Sequence, residues 1–481
     1  MAGDFGILSF GAYVPRTRLQ RKAMAAANGW FNPGLKGLAK GERAIGNWDE
    51  DTITMAVEAA RDCLGDLDRS TIDSLVLAST THPFDDRQNA TVVATALHLP
   101  GALRTADAAG SLRAGTGALI AALEGAGHAL VVAADMRRSK AGSTQEMQYG
   151  DGAAAFRVGE GRVLATLLGA HTESVDFVHQ YRMHDRDTDY GWEERWIRDE
   201  GYLKIVPRAI AALLGKVGVA PGAIAHFCLP GTLSRIAPTV AKRCGLPEGA
   251  VRDNLGATCG DTGAAHPLLM LAAALEDAKP GERILVAGFG EGCDVLLLEA
   301  GAALAEPSQR LGVRGALARR REDANYLRWL SFTGKIDLER GMRAEVDKPT
   351  AMTVLYRNRD MIEGLVGGRC RACGTVQFPR QRYCVNPGCN ALDSQDDYLF
   401  SERTGRVLSY TADSLTYSPD PPTYFGMVQV DGGGRMLMDF TEVDPATVDV
   451  GLPVRMVFRI KDADPNRGFV RYFWKAAPVS A

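Results

Sequence analysis

The sequence predicts an α/β chain: a layered α/β domain over residues 1–305, followed by a small cysteine-bound ribbon and a five-stranded β-barrel. Three observations predict it. Short apolar runs alternate with helical stretches up to about residue 305. Four cysteines cluster between positions 370 and 389. Beyond 398 the chain turns to short strands of alternating polarity.

In the first part, DSLVLAST (73–80), HALVVAAD (128–135) and RILVAGFG (283–290) are continuous apolar runs that end in small or turn residues. Strands buried on both faces have this pattern. Between them lie DTITMAVEAARDCLGDL (51–67), AGTGALIAALEGA (114–126) and AAHPLLMLAAALEDA (264–278), which read as amphipathic or Ala-rich helices. Strand–helix alternation with buried strands specifies layered α/β architecture. Residues 306–323 are charged and punctuated by Pro and Gly, with a basic cluster at Arg319, Arg320 and Arg321. They read as a solvated linker, with contact to ligand phosphates as the sharper alternative. Residues 324–365 form a helical connector anchored by Tyr326, Trp329, Phe332 and Tyr356.

Cys370, Cys373, Cys384 and Cys389 stand as two pairs in CRACGTVQFPRQRYCVNPGC. Each pair forms a knuckle that aims two thiolates at one point. Four thiolates complete a tetrahedral zinc shell with no open catalytic position, so residues 366–392 read as a structural zinc ribbon. Two disulfides are the alternative. The other five of the nine cysteines (Cys63, Cys228, Cys244, Cys259 and Cys293) are scattered singly through apolar stretches, unlike a secreted disulfide framework. From 393 to 481, RVLSYTADSLTY, FGMVQVDGGGRMLMDFT, PVRMVFRIKD and FVRYFWKAA read as short strands, with Gly432, Gly433 and Gly434 turning a hairpin. About five strands in this length fit a small closed barrel of the OB type.

Composition narrows the function classes. Hydrophobic residues make up 46% of the chain, enough for sizeable cores, and the net charge of −3 builds no general field for nucleic acid. The barrel segment lacks the basic groove that a single-strand binder uses. The first twenty residues lack a charged region followed by a long apolar stretch, and no apolar run approaches the roughly 18 residues of a membrane span. A cytoplasmic setting without membrane attachment is therefore expected.

The first 305 residues resemble the thiolase superfamily, in particular its hydroxymethylglutaryl-CoA synthase and 3-oxoacyl-carrier-protein synthase III branch. The matching pieces are GAYVPRTRL (11–19), DEDTITMAVEAA (49–60), AGTGAL (114–119), YGDGAAAF (149–156), PTVAKRCGLP (238–247), CGDTGAAHPLLMLAAAL (259–275) and GFGEGCD (288–294). The remainder resembles the DUF35 family, a rubredoxin-like zinc ribbon with an OB-fold. The resemblance implies a five-layered α/β/α/β/α domain, a homodimer, coenzyme A thioesters as substrates and, for the DUF35 part, a thiolase partner.

The family's chemistry uses a cysteine nucleophile, a histidine, an asparagine and a backbone oxyanion hole. Transferred position by position, the nucleophile becomes Leu112, five residues after Asp107, with Ser111 beside it. The histidine becomes Pro230 or Cys228, with His226 near. The asparagine becomes Asp261, and the acid of the synthase branch falls near Thr80. Only the glycine loop is kept, so Gly288, Gly290 and Gly292 are the expected substrate-binding positions. The alternative is that they shape a simple turn. A covalent thioester on cysteine is not expected. Retro-aldol or Claisen-type chemistry without one remains open, with Asp261, Cys228 and Ser111 as catalytic candidates and His266 as a further group. Each has a plain alternative: Asp261 a turn residue, Cys228 an inert buried thiol, His266 a buried hydrogen-bonding residue. The second functional reading is a non-catalytic scaffold or channelling subunit of a thiolase-type complex.

Overall fold

The computed structural model describes residues 4–306, 310–341 and 351–479. The chain divides into two compact units. One comprises the residues up to Asn47, Asp51–Ala94 and Leu99–Leu330. The other comprises Trp48–Glu50, Thr95–His98 and the chain from Ser331 onward.

The first unit is built on nine strands: β1 (Phe5–Tyr13), β2 (Ser74–Ala78), β3 (Arg104–Ala108), β4 (Ala129–Met136), β5 (Asp151–Glu160), β6 (Ala165–Ser174), β7 (His226–Cys228), β8 (Arg283–Phe289) and β9 (Gly292–Ala300). Their order is β7-β8-β9-β6-β1-β5-β4-β2-β3. The β6–β1 link is a single residue pair, Ile7 with Ala165, so the strands act as two half-sheets. In each half, parallel pairing at the outer edge gives way to antiparallel pairing inward. The parallel bridge of Phe227 with Val251 stands where β3 stands in the other half. The domain is thus an internal duplication.

Helices α1 (Thr52–Leu64), α2 (Ala114–Glu124), α3 (Val206–Val217), α4 (Ile236–Arg243) and α5 (His266–Asp277) complete it. α5 buries residues around nearly its whole circumference, including Leu268, Leu269, Met270 and Leu271, as a helix between two sheets must. One core joins α2 and α5 to residues of both half-sheets. A second joins α3 and α4 to the outer face of β7–β9. With α1 outside the first half-sheet, the layers are α/β/α/β/α, as expected.

α1 begins with a capping box. The Asp51 carboxylate accepts from the Thr54 amide at 2.9 Å, and the Asp51 amide donates to Thr54 Oγ1 at 2.8 Å. Asp51→Ala is expected to lower the stability of this unit by about 1 kcal/mol, read as a lower urea midpoint at unchanged slope.

The expected linker is partly integrated with this unit. Val313 and Ala316 of helix Gly312–Ala318 enter the central core. Arg321–Asp323 adds a parallel strand to Thr17–Gln20, and Arg320 pairs with Glu42. Backbone pairing drew this segment in, a factor that its charge composition does not register. Positions 307–309 and 342–350 of the expected linker and connector lie outside the described residues. Among the described residues no helix is long and apolar enough to cross a membrane.

The second unit holds a three-stranded sheet, β10 (Val366–Cys370), β11 (Val376–Gln377) and β12 (Gln395–Leu399), with β10 central. Five further strands follow: β13 (Thr404–Asp413), β14 (Thr423–Val430), β15 (Arg435–Asp439), β16 (Pro453–Asp464) and β17 (Phe469–Pro478), in the order β15-β14-β13-β16-β17. A bridge of Phe440 with Ala476 brings the two edges together into a barrel. Val407, Val428, Met456, Phe458 and Trp474 fill its interior. The β14–β15 turn has φ of 90°, 120° and 88° at Gly432, Gly433 and Gly434, a left-handed run that only glycine adopts freely.

Candidate active site

The site begins where β3 runs into α2. The chain turns at Gly110 and presents Ser111, Leu112 and Arg113 before the helix. Ser111 Oγ donates to the Gly290 carbonyl at 3.1 Å. Arg113 donates to the same carbonyl at 2.8 Å, to Asp294 Oδ1 at 3.0 Å and to Ser174 Oγ at 3.1 Å. Asp294 is fully buried and also accepts from Thr116 at 2.9 Å and Thr172 at 2.8 Å. The start of α2 is thereby fastened to the β8–β9 turn.

That turn is the glycine loop. A Cβ on Gly290 would sit 2.9 Å from Ser111 Oγ, and one on Gly288 would sit 2.5 Å from Thr116 Oγ1. At Gly292 (φ +118°) a Cβ would collide with the Glu173 carbonyl at 1.9 Å. The glycines are needed for close approach to α2 and β6. The Gly290 amide donates to the Gly292 carbonyl at 3.1 Å, so it is committed within the loop.

Asp261 lies beside Arg137, at the end of β4. Arg137 is 4% exposed and donates to Asp261 Oδ1 at 2.6 Å and to Gln180 at 2.9 Å. Its guanidinium stands 3.5 Å from Asp189 and 3.6 Å from the Tyr149 ring centre. Burial alone would lower the guanidinium pKa, but Tyr149, Asp261, Asp189 and Asp135 together raise it. Asp261 Oδ1 also accepts from the Gly263 amide at 2.9 Å, the local turn bond expected of an aspartate here. Asp135, fully buried, gathers the Ser79 hydroxyl, the Thr80 amide and the Ala264 amide, each at 2.7 Å. It ties the Thr80 loop to the turn that carries Asp261.

Cys228 is fully buried, with Sγ 3.5 Å from the Met270 carbonyl, and burial pushes its thiol up to about 12. A thiol so placed has almost no thiolate near neutral pH. His266 uses both ring nitrogens. Nδ1 accepts from the Thr262 amide at 2.9 Å, so Nε2 carries the proton and donates to the Asn254 carbonyl at 2.7 Å. His226 Nε2 pairs with Glu282 at 2.9 Å. The Pro230 carbonyl accepts from the Tyr202 hydroxyl at 3.3 Å.

A cavity of about 380 Å³ opens in front of α2, lined by Thr80, His82, Ser111, Leu112, Arg182 and Glu291 among others. Ser111 lines it; Asp261 and Cys228 do not. A larger cavity of about 850 Å³, lined by Phe10, Arg157, Leu275 and Arg310 among others, holds none of the candidate residues. Sequence reasoning missed Glu291, His179, Arg113 and Arg137. Glu291 carried one visible signal, a charge between two glycines in an otherwise apolar strand turn. His179 carried none, because it sits in an irregular segment.

In the ribbon, the sulfurs of Cys370, Cys373, Cys384 and Cys389 all lie within 4.8 Å of one another. Cys370 and Cys389 are 3.9 Å apart, and Cys373 and Cys384 are 3.5 Å apart, well beyond a disulfide bond of about 2.05 Å. Tetrahedral zinc with bonds of about 2.3 Å separates its sulfurs by roughly 3.8 Å. The donor set therefore fits zinc.

Three family models match the chain: the 3-oxoacyl-[acyl-carrier-protein] synthase III C terminal over residues 214–298, the ChsH2 rubredoxin-like zinc ribbon domain over 362–393, and the ChsH2 C-terminal OB-fold domain over 400–459. The hydroxymethylglutaryl-CoA synthase of Aeropyrum pernix is 30% identical over 305 residues, covering 60% of this chain and 82% of the relative. That of Pyrococcus furiosus is 30% identical over 302 residues, covering 60% and 84%. Among solved structures, MvaS in complex with 3-hydroxy-3-methylglutaryl coenzyme A superimposes with a TM-score of 0.60 at 24% identity, covering 73% of this chain and 94% of that one. The 3-oxoacyl-[acyl-carrier-protein] synthase III of Aquifex aeolicus superimposes at 0.53 and 20% identity, covering 61% and 99%.

Proposed function

The chain belongs to the hydroxymethylglutaryl-CoA synthase family of the thiolase superfamily, and from that premise we propose that it forms or cleaves carbon–carbon bonds of coenzyme A thioesters without a covalent acyl intermediate. The reading rests on Leu112, which the resemblance aligns with the nucleophile and which lines a cavity at the start of α2. A hydrocarbon side chain forms no thioester. Aldol-type cleavage of a β-hydroxyacyl thioester needs only a base for the hydroxyl proton and a site that stabilises the enolate. Of the three sequence candidates, Ser111 lines the cavity, which supports a substrate contact through its hydroxyl oxygen. Asp261 holds Arg137 beneath the site, and Cys228 packs within the core. Of the glycine loop, Glu291 lines the cavity, whereas Gly288, Gly290 and Gly292 pack against α2 and β6. Zinc serves the ribbon structurally.

A homodimer through the thiolase-type domain and a thiolase partner for the DUF35 part are included in the proposal. The second reading, a scaffold that channels intermediates to that partner, draws support from the same Leu112. The test is to incubate the purified chain with acyl-, β-ketoacyl- and β-hydroxyacyl-CoA thioesters and follow small-molecule products and intact protein mass. The expected result is carbon–carbon cleavage or formation with no gain in protein mass. A covalent acyl adduct would overturn it. Silence alone, with activity of an added thiolase that depends on this chain, would transfer the case to the scaffold.

A further inference from the structure

We infer that Glu291, backed by His179, is the general base of the cavity in front of α2, an assignment that rests on the thioester chemistry proposed above. Glu291 lines that cavity together with Ser111 and Leu112. It holds φ of +45° between two glycines, a left-handed position where a side chain is disfavoured and where strain is characteristic of functional turns. Its side chain is 35% exposed, so it is sheltered yet open on one side. Oε2 is buried without a hydrogen-bond partner, and Oε1 stands 3.6 Å from His179 Nδ1.

His179 is 7% exposed, and neither ring nitrogen has a hydrogen-bond partner. Its ring packs 5.3 Å from that of Phe289. A buried imidazole whose nearest partners, the Phe177 backbone and Glu291, stand outside ordinary hydrogen-bond geometry is costly unless something outside the resting structure uses it. Burial, reinforced by the Arg137 charge, lowers its pKa to about 4, so it is neutral near pH 7. Burial raises the Glu291 carboxyl above its ordinary value, partly offset by Ser111 and by the Arg113 charge, while Asp176 adds to the rise. The pair is a carboxylate with elevated basicity 3.6 Å from a neutral imidazole. A small rotation closes the gap, as catalytic hydrogen bonds commonly tighten only with substrate bound.

The step balances without a co-reactant. The Glu291 carboxylate takes the β-hydroxyl proton of a β-hydroxyacyl thioester. The O–H electron pair becomes the carbonyl π bond, the Cα–Cβ bond breaks, and its electrons form the thioester enolate. Glu291 returns the proton to the α-carbon, leaving a carbonyl compound and a shorter acyl thioester. Run in reverse, Glu291 removes an α-proton from that acyl thioester, which gives an assay independent of the unknown β-substituent.

The experiment uses the full chain in deuterium oxide with acetyl-, propionyl- and butyryl-CoA. It follows α-hydrogen exchange by mass spectrometry and thioester binding by calorimetry. Wild type is expected to exchange, with a rate that rises with pH through a midpoint above the ordinary glutamate value of about 4.3. Glu291→Gln should lose about 100-fold or more while still binding the thioester, and Glu291→Asp, the check against misfolding, should retain a measurable fraction. His179→Phe removes the donor that reaches the carboxylate once the gap closes on substrate, so it should move the pH midpoint upward. Arg113, Asp176 and His179 act on Glu291 most directly, His82, Arg138, Arg182 and Asp189 are among the charged or titratable groups that share its cavity, and only His179 changes in that variant. Exchange undiminished in Glu291→Gln would overturn the inference and leave the thioester reading intact, as would wild-type binding with no exchange. An unmoved midpoint in His179→Phe would remove His179 from the assignment. Absence of binding by all three thioesters would overturn both.

Discussion

Zinc removal, by a strong chelator or by Cys370→Ser, is expected to unfold the ribbon and leave the thiolase-type unit folded. The ribbon's sheet has strands of only five, two and five residues. So small a segment buries too little apolar surface to offset its chain entropy. In structural zinc sites the metal's binding free energy is the folding free energy, about 10–16 kcal/mol at neutral pH in isolated finger peptides. The check is calorimetry of the full chain with and without chelator, joined to limited proteolysis. Loss of one transition should accompany new cleavage between residues 366 and 399, while the transition of the first unit stays put. A single transition that shifts as a whole would contradict the expectation.

Arg137→Met is expected to destabilise the first unit by about 3–5 kcal/mol, the usual cost of removing one partner from a buried ion pair. The side chain is almost fully enclosed and gives hydrogen bonds to Asp261 and Gln180 while facing Asp189. Its loss deprives the Asp261 carboxylate of its guanidinium partner and leaves it on the Gly263 amide. Asp189 keeps Arg182, so the penalty centres on Asp261. Adding Asp261→Asn to Arg137→Met should recover part of the loss, because a neutral amide tolerates the site that a lone carboxylate does not. A double-mutant cycle in urea reads the coupling, expected at about 1–3 kcal/mol. Coupling near zero would show that the 2.6 Å contact contributes no stability. The same variants bear on chemistry. If Asp261→Asn alone abolishes thioester turnover while folding normally, Asp261 acts beyond its pairing with Arg137.

Much of this architecture was legible before any coordinates. Continuous apolar strands such as HALVVAAD and RILVAGFG demand two covered faces, and their alternation with helical stretches specifies layered α/β architecture. The five-layer order came from the family resemblance. The short barrel strands and Gly432–Gly434 announce themselves by local alternation and turn chemistry. The integration of residues 310–323 into the first unit was not legible. Its backbone pairing with Thr17–Gln20 depends on a partner strand almost the whole domain away in sequence, and the charges of this segment resemble those of a solvated linker.

The same division runs through the sites. The four ribbon cysteines lie close in sequence, so their spacing alone constrains where the sulfurs can converge, and sequence by itself determined the donor set. The resemblance likewise offered Leu112 and Asp261 as counterparts of the family's nucleophile and amide. The tertiary structure decided what surrounds those positions. It set Arg137 against Asp261, enclosed Cys228, occupied both nitrogens of His266, and brought His179 from an irregular segment to Glu291 at the glycine turn. The physical reason is range. Metal knuckles, turns and strand periodicity are set by neighbours within a few residues, whereas burial, ion pairing and shifted basicity arise only when distant segments exclude water together.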